Sequence, residues 1–232
     1  MNRKNLLGML GLVAALPMAS ALAGEPASRV YTYQVELDAR GTLLSATPQR
    51  HADDATTRRI GEELRNWVFQ PAQQGDRPMP TSTWVRVTAI PGADGAEPRI
   101  LSATTGPAPE SLRKPEFPAS AQVRGNHGVV VLELQMDAQG AVKDVAVRDT
   151  VGAVNRAMAA SAVAAAREWT FRPERVDGVA LAGTLLMPVC FMGTAQQDCD
   201  WTGPESRVYG RETVLALEPA VRIANPVAYL GN

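Results

Sequence analysis

The sequence predicts an α+β fold made of two tandem β-β-α-β units, each a small antiparallel three-stranded sheet with a helix packed on one face. Three observations predict it. Alternating apolar and polar stretches flank two Asp-x-x-Gly turns, and each such pair is followed by apolar residues at helical spacing. The whole pattern then recurs once, roughly 100 residues downstream, which is a domain-length repeat rather than a solenoid unit. Val35-Glu36-Leu37-Asp38-Ala39-Arg40-Gly41 corresponds to Leu134-Gln135-Met136-Asp137-Ala138-Gln139-Gly140. Trp67-Val68-Phe69-Gln70-Pro71 corresponds to Trp169-Thr170-Phe171-Arg172-Pro173, and Gly75 to Gly178.

The chain has 232 residues, 45% of them hydrophobic, with a net charge of −1. That length admits one large domain or two small ones, and the composition is globular rather than disordered. A polyanion-binding protein is excluded, because 23 Lys and Arg face 24 Asp and Glu. Two Cys are too few for a disulfide scaffold or a zinc cluster.

Residues 1–23 read as a signal peptide. Arg3 and Lys4 precede an apolar run over 6–18, and Ala21-Leu22-Ala23 is a small-x-small cleavage site, so the cut falls after Ala23. The alternative is an uncleaved anchor, since residues 5–24 are just long enough to span a bilayer.

The first unit, 28–105, opens with alternating Tyr31, Tyr33, Val35 and Leu37, and Gly41 turns the chain. Asp53 or Asp54 caps a helix whose Ile60, Leu64, Trp67 and Val68 share one face. Residues 83–90 supply the third strand, with Trp84 in it. Pro and Gly density over 91–98 marks a linker, and a short apolar run leads to a boundary near 105–112. The second unit, 112–195, runs through a strand over 128–136, a turn at Gly140 and a strand over 141–148. Asn155 caps an Ala-rich helix over 156–168, with Met158, Ala162, Ala165 and Trp169 facing the sheet. A third strand over 181–191 carries Leu185, Met187 and Val189 on one side. Each unit is small enough to have a marginal core, so the two are expected to pack together or lean on the remaining tail.

In the extension, 196–232, residues 207–217 have strand character, and Pro219 and Pro226 interrupt the rest of the tail. In an exported chain Cys190 and Cys199 are expected to form a disulfide that closes a local loop.

Catalytic signals are weak. Ser111-x-x-Lys114 sits between Pro109 and Pro115 without its companion motifs. His51 and His127 are isolated surface histidines, and Asp53-Asp54 suits helix capping. Asp198 and Asp200 lack a full oxygen shell for a cation. No catalytic residue, metal site or cofactor is predicted.

The second unit resembles the C-terminal domain of the TonB energy transducer family. The resemblance is carried by Pro115-x-Phe117-Pro118, Gly125, Gly128-Val129-Val130-Val131, Asp137-Ala138-Gln139-Gly140, Trp169-Thr170-Phe171-Arg172-Pro173, Gly178 and Met187-Pro188-Val189-Cys190-Phe191. The first unit resembles a degenerate version of the same domain. The resemblance implies a non-enzymatic periplasmic protein that binds outer-membrane transporter or other envelope segments by strand addition. The implied peptide-binding edge comprises Leu185, Met187, Val189 and Phe191 in the second unit and Trp84 in the first. A tail strand over 207–217 would cover the second edge. Nucleic acid is not an expected partner. The alternatives are a membrane-anchored transducer or accessory of a TonB-type system, and an enzyme with an unrecognised site.

Overall fold

The computed structural model describes residues 28–50, 54–92, 96–193, 199–211 and 213–224. The expected signal peptide lies outside these residues, as do His51, Asp53, Asp198 and Pro226. In the N-terminal half, β1 (Arg29–Leu37) and β2 (Leu43–Pro48) precede α1 (Ala55–Glu63), which is followed by β3 (Thr81–Ile90) and β4 (Arg99–Gly106). In the C-terminal half, α2 (Ala119–Val123) leads into β5 (Gly128–Met136) and β6 (Val142–Gly152). Then come α3 (Arg156–Ala166) and β7 (Gly183–Phe191).

The turns explain why both halves begin alike. Asp38 Oδ1 accepts from the amides of Arg40 and Thr42, and Asp137 Oδ1 from those of Gln139 and Ala141. These bonds tie the carboxylate to the turn backbone. Gly41 and Gly140 then sit at φ +81° and +88°. A Cβ there would come within 2.1 Å of the Phe69 carbonyl oxygen and 1.8 Å of that of Phe171, so glycine is required sterically as well as conformationally. Both helices start on a side-chain cap. Asp54 accepts from Thr56 N in α1, and Asn155 accepts from Met158 N in α3.

One core forms under each helix. Ile60, Leu64 and Trp67 pack on Tyr33, Val35, Leu37, Val85 and Val87 in the N-terminal half. Met158, Ala162, Ala166 and Trp169 pack on Val130, Leu132, Leu134, Leu185 and Val189 in the C-terminal half. Val68, expected on the helix face, is 56% exposed. The chain is already extended at Trp67 (φ −82°, ψ 147°), so the helical spacing no longer applies one residue later.

The two sheets are larger than three strands. The N-terminal sheet has six strands, ordered β2–β1–β3, with both β4 and the hairpin of Arg175–Val176 and Val179–Ala180 on the far side of β3. The C-terminal sheet has four, ordered β6–β5–β7 and then Leu215–Ala216. The apolar run over 100–105 is therefore a full strand and not linker. Residues 207–217 are not one strand. Val208–Tyr209 pairs with Trp201–Thr202, and Leu215–Ala216 pairs with β7.

The tail also accounts for the unbroken apolar run in β5. Val130 and Leu132 face α3, while Val129 and Val131 lie under Leu186, Cys199 and Trp201. A sheet covered on both faces loses its polar alternation. Cys190 and Cys199 are disulfide-bonded with Cα atoms 5.9 Å apart, which pins this cover to β7. Farther along, Arg222–Ile223 pairs with Phe69–Gln70 of the N-terminal half. One tail thus pairs with both halves.

Candidate functional site

The two expected binding edges have opposite fates. In the N-terminal half, β3 is not an edge. β1 pairs along its inner side, and β4 pairs with it from Trp84 to Ile90. Trp84 is 5% exposed and faces the other half, with the Arg172 guanidinium 5.4 Å from its ring centroid. It is not available to a peptide.

In the C-terminal half the edge is part-covered. The tail pairs only with Leu185 and Leu186, and the Leu217 amide donates to Thr184 O at 3.0 Å. The tail then leaves the edge at Val214, whose carbonyl accepts from Arg86 Nη2 at 2.7 Å. Among the described residues no strand pairs with the outer side of 187–191. The Thr184 bond shows which side its backbone faces, and alternation puts the main-chain groups of Leu186, Pro188 and Cys190 on that side too. Pro188 fits there because it has no N–H to lose from the inner ladder with β5.

The side chains expected to contact a ligand are mostly in the core. Leu185, Val189 and Phe191 are at most 5% exposed and lie against α3 and the residues around it, while Met187 is only half-buried. The edge therefore presents main chain and a groove. The groove, of about 610 Å³, is lined by Met187 to Met192 from β7 and just beyond it. Its opposite wall is Leu112, Pro115, Phe117 and Trp169, and its cations are Arg113, Lys114 and Arg211. Phe117 meets Phe191 edge-on at 5.4 Å between centroids, and Trp169 Nε1 donates to Arg113 O at 2.7 Å. The segment ahead of α2 is thereby fixed as one wall.

The profile of the family described as Gram-negative bacterial TonB protein C-terminal matches residues 113–192. Residues 113–192 are thus similar to the C-terminal region of TonB proteins. Protein TonB of Xanthomonas campestris pv. campestris (strain B100) is 34% identical over 82 residues, covering 35% of this chain and 36% of that protein. Protein TonB of Vibrio cholerae serotype O1 is 33% identical over 78 residues, covering 34% of this chain and 31% of that protein. The chain spans about a third of the length of the curated relatives it matches. The TonB-like stretch contains the open edge, Cys190 and most of the groove, whose Leu112 and Arg211 lie outside it, and it stops short of the tail.

Beside it lies a polar cluster that sequence reasoning missed. Arg86 is 4% exposed, and Nη1 donates to Pro107 O at 2.6 Å. Glu174 is equally buried and accepts from the Thr83 hydroxyl and, at 2.9 Å, from the Ala220 amide. Burial lowers the Arg86 pKa to about 10 against the opposing pull of Glu174. Burial also raises the Glu174 carboxyl above its ordinary range, although its hydrogen bonds and Arg86 oppose this. These groups join β3, the C-terminal half and the tail. The available signal was Trp84 and Arg86 on the face of β3 opposite its core.

Among the described residues, no group of three or more His, Cys, Asp or Glu side chains could hold a metal ion. Also among them, no helix is long and apolar enough to cross a membrane. Ser111 closes the short strand Ala108–Ser111, paired with Thr170–Arg172, and His127 is exposed with Nδ1 3.0 Å from Gly125 O. Neither belongs to a catalytic cluster.

Proposed function

We propose that the protein is a non-enzymatic periplasmic binding module of a TonB-type system. In this reading it is exported with a signal peptide cut after Ala23. It carries two TonB C-terminal-like domains in tandem, over 28–105 and 112–195, followed by an extension over 196–232. The tandem reading is supported by the paired Asp-x-x-Gly turns, the capped helices ending at Trp67 and Trp169, and the matching hairpins around Gly75 and Gly178. Only the second domain keeps a binding edge, and its partner is an extended segment of an outer-membrane transporter or another envelope protein.

The observation that carries the reading is the outer side of residues 187–191, inside the TonB-like stretch, which no strand among the described residues pairs with and which lies next to an apolar groove. The opposite edge of the same sheet is unsuited to strand addition. β6 has two register shifts and carries Lys143, Asp144, Arg148 and Asp149, devices that blunt an edge. Main-chain bonding at 187–191 is short, and each bond contributes about 0.5–1.5 kcal/mol net. Association costs about 4–15 kcal/mol, so the groove must supply much of the affinity.

A photo-crosslinking residue at Met187 in the exported full chain tests this. It should capture an envelope protein through an extended segment, while the same residue at Thr88 on the closed β3 should capture none. Equal capture from both positions, or none from Met187, would sink the binding edge. The mass of the exported chain tests the export reading, which requires an N-terminus at Gly24.

A further inference from the structure

The described part of the tail stops beside the tryptophan that ends the first helix. Arg222 pairs with Gln70 and Ile223 with Phe69, and the Ala224 amide donates to Val68 O at 2.8 Å. The C-terminal half has the same antiparallel ladder. Ala108 pairs with Arg172, Pro109 with Phe171 and Ser111 with Thr170. There the chain runs on past Trp169. Two residues after Ser111, the Arg113 carbonyl accepts from Trp169 Nε1 at 2.7 Å. Six residues after it, Phe117 meets Phe191 and packs on the core.

Trp67 lacks such an acceptor. It is 6% exposed, and its Nε1 is buried with no hydrogen-bond partner among the described residues. Buried side-chain donors are as a rule paired, so the position calls for an acceptor. The N-terminal half cannot take one from its own counterpart of residues 113–117 once it is exported. The offset of 99 residues between Val35 and Leu134 puts that counterpart at 14–18, inside the expected signal peptide. The tail offers another source. Beyond Ala224 the sequence continues Asn225-Pro226-Val227-Ala228-Tyr229-Leu230. Ala224 meets Val68 as Ser111 meets Thr170, so Pro226 stands at the place of Arg113 and Leu230 at that of Phe117. Pro226 has no N–H, but the position uses only its carbonyl. Given the tandem reading proposed above, we infer that residues 225–230 dock across Trp67. The Pro226 carbonyl accepts from Trp67 Nε1, and Leu230 covers the core of the N-terminal half. The tail then walls the first half as residues 112–118 wall the second.

The test reads hydrogen exchange of the two indole N–H groups in the exported full chain, with Trp67 assigned through Trp67→Phe. Leu230→Asp, and separately a chain stopped after Ala224, should speed exchange of the Trp67 indole at least ten-fold and leave that of Trp169 unchanged. Phe117→Ala should do the reverse. A nitroxide on Asn232→Cys should broaden the Trp67 indole signal and spare that of Trp169. The nitroxide leaves the docking residues intact, so it decides the matter if a variant loses amide protection in α1. A Trp67 indole that neither the variants nor the label affect overturns the inference. If Trp169 still answers to Phe117→Ala, the tandem reading stands. If Trp169 does not answer either, the equivalence of the halves fails and the inference fails with it. Protection of Trp67 that requires residues 14–18, or that rises with protein concentration, also overturns the inference, because the leader or a second copy would then be the occupant.

Discussion

The two halves of the molecule share a turn, a capped helix and a tryptophan at the helix end, yet they differ in what lies beyond the third strand. In the N-terminal half, β4 fills the outer side of β3 from its own chain. In the C-terminal half the described tail bonds to Thr184, Leu185 and Leu186 of β7, and residues 187–191 lie beside a groove. The comparison teaches that an edge strand of given pattern is closed or keeps an unpaired side according to the segment that comes after it. It also shows why the halves hold together. Each shares a short ladder with the tail, and β3 pairs with Arg175–Val176 of the other half.

The largest expected effect comes from breaking the contact between the halves. Arg86→Ala removes the donor for Pro107 O and Val214 O and leaves Glu174 buried without a facing cation. It should lower the unfolding free energy by about 3 kcal/mol or more. Denaturant melts measure this, and a loss under about 1 kcal/mol would show that the halves do not depend on Arg86. Cys199→Ser opens a loop of roughly ten residues and should cost about 2.5–3 kcal/mol under oxidising conditions. Amide exchange should increase around Trp201 and leave α1 unchanged, since only the C-terminal sheet carries this cover.

The tryptophans give a finer comparison. Trp169 Nε1 is hydrogen-bonded to Arg113 O, whereas buried Trp67 Nε1 has no partner among the described residues. In a chain stopped after Ala224, Trp169→Phe should therefore cost about 1 kcal/mol more than Trp67→Phe, the net worth of one hydrogen bond. Equal losses would mean that packing alone holds both rings. The smallest effect is on pH. Glu174 has its folded pKa raised above the ordinary 4.5. Folded protein therefore binds more protons than unfolded protein just above that value, and stability declines as pH rises through the window. Glu174→Gln should flatten that part of the stability–pH curve. An unchanged curve would assign the titration to another group.

Much of the backbone architecture is legible in the sequence because local rules act there. Asp38 and Asp137 announce turns, Asn155 announces a helix start, and Met158, Ala162 and Trp169 recur at the helical period. The candidate site is only half legible. Residues 187–191 read as a strand, but alternation does not say which side of the strand is paired. Leu185, Val189 and Phe191 read as ligand contacts, although their apolar character reflects burial under α3. The buried roles of Arg86 and Trp84 escape a strand pattern, which assumes that the second face meets water.

The sequence alone determined the local elements and the stretch that resembles TonB, since turns, caps and periodicity depend on neighbours within a few residues. Only the tertiary structure decided which strand was closed, which edge stayed open and where the tail lay. Those outcomes depend on pairings between residues such as Trp84 and Gly106 or Leu186 and Leu215. Backbone hydrogen bonding is nearly indifferent to side-chain identity, so long-range partners are selected by the packing of the whole chain.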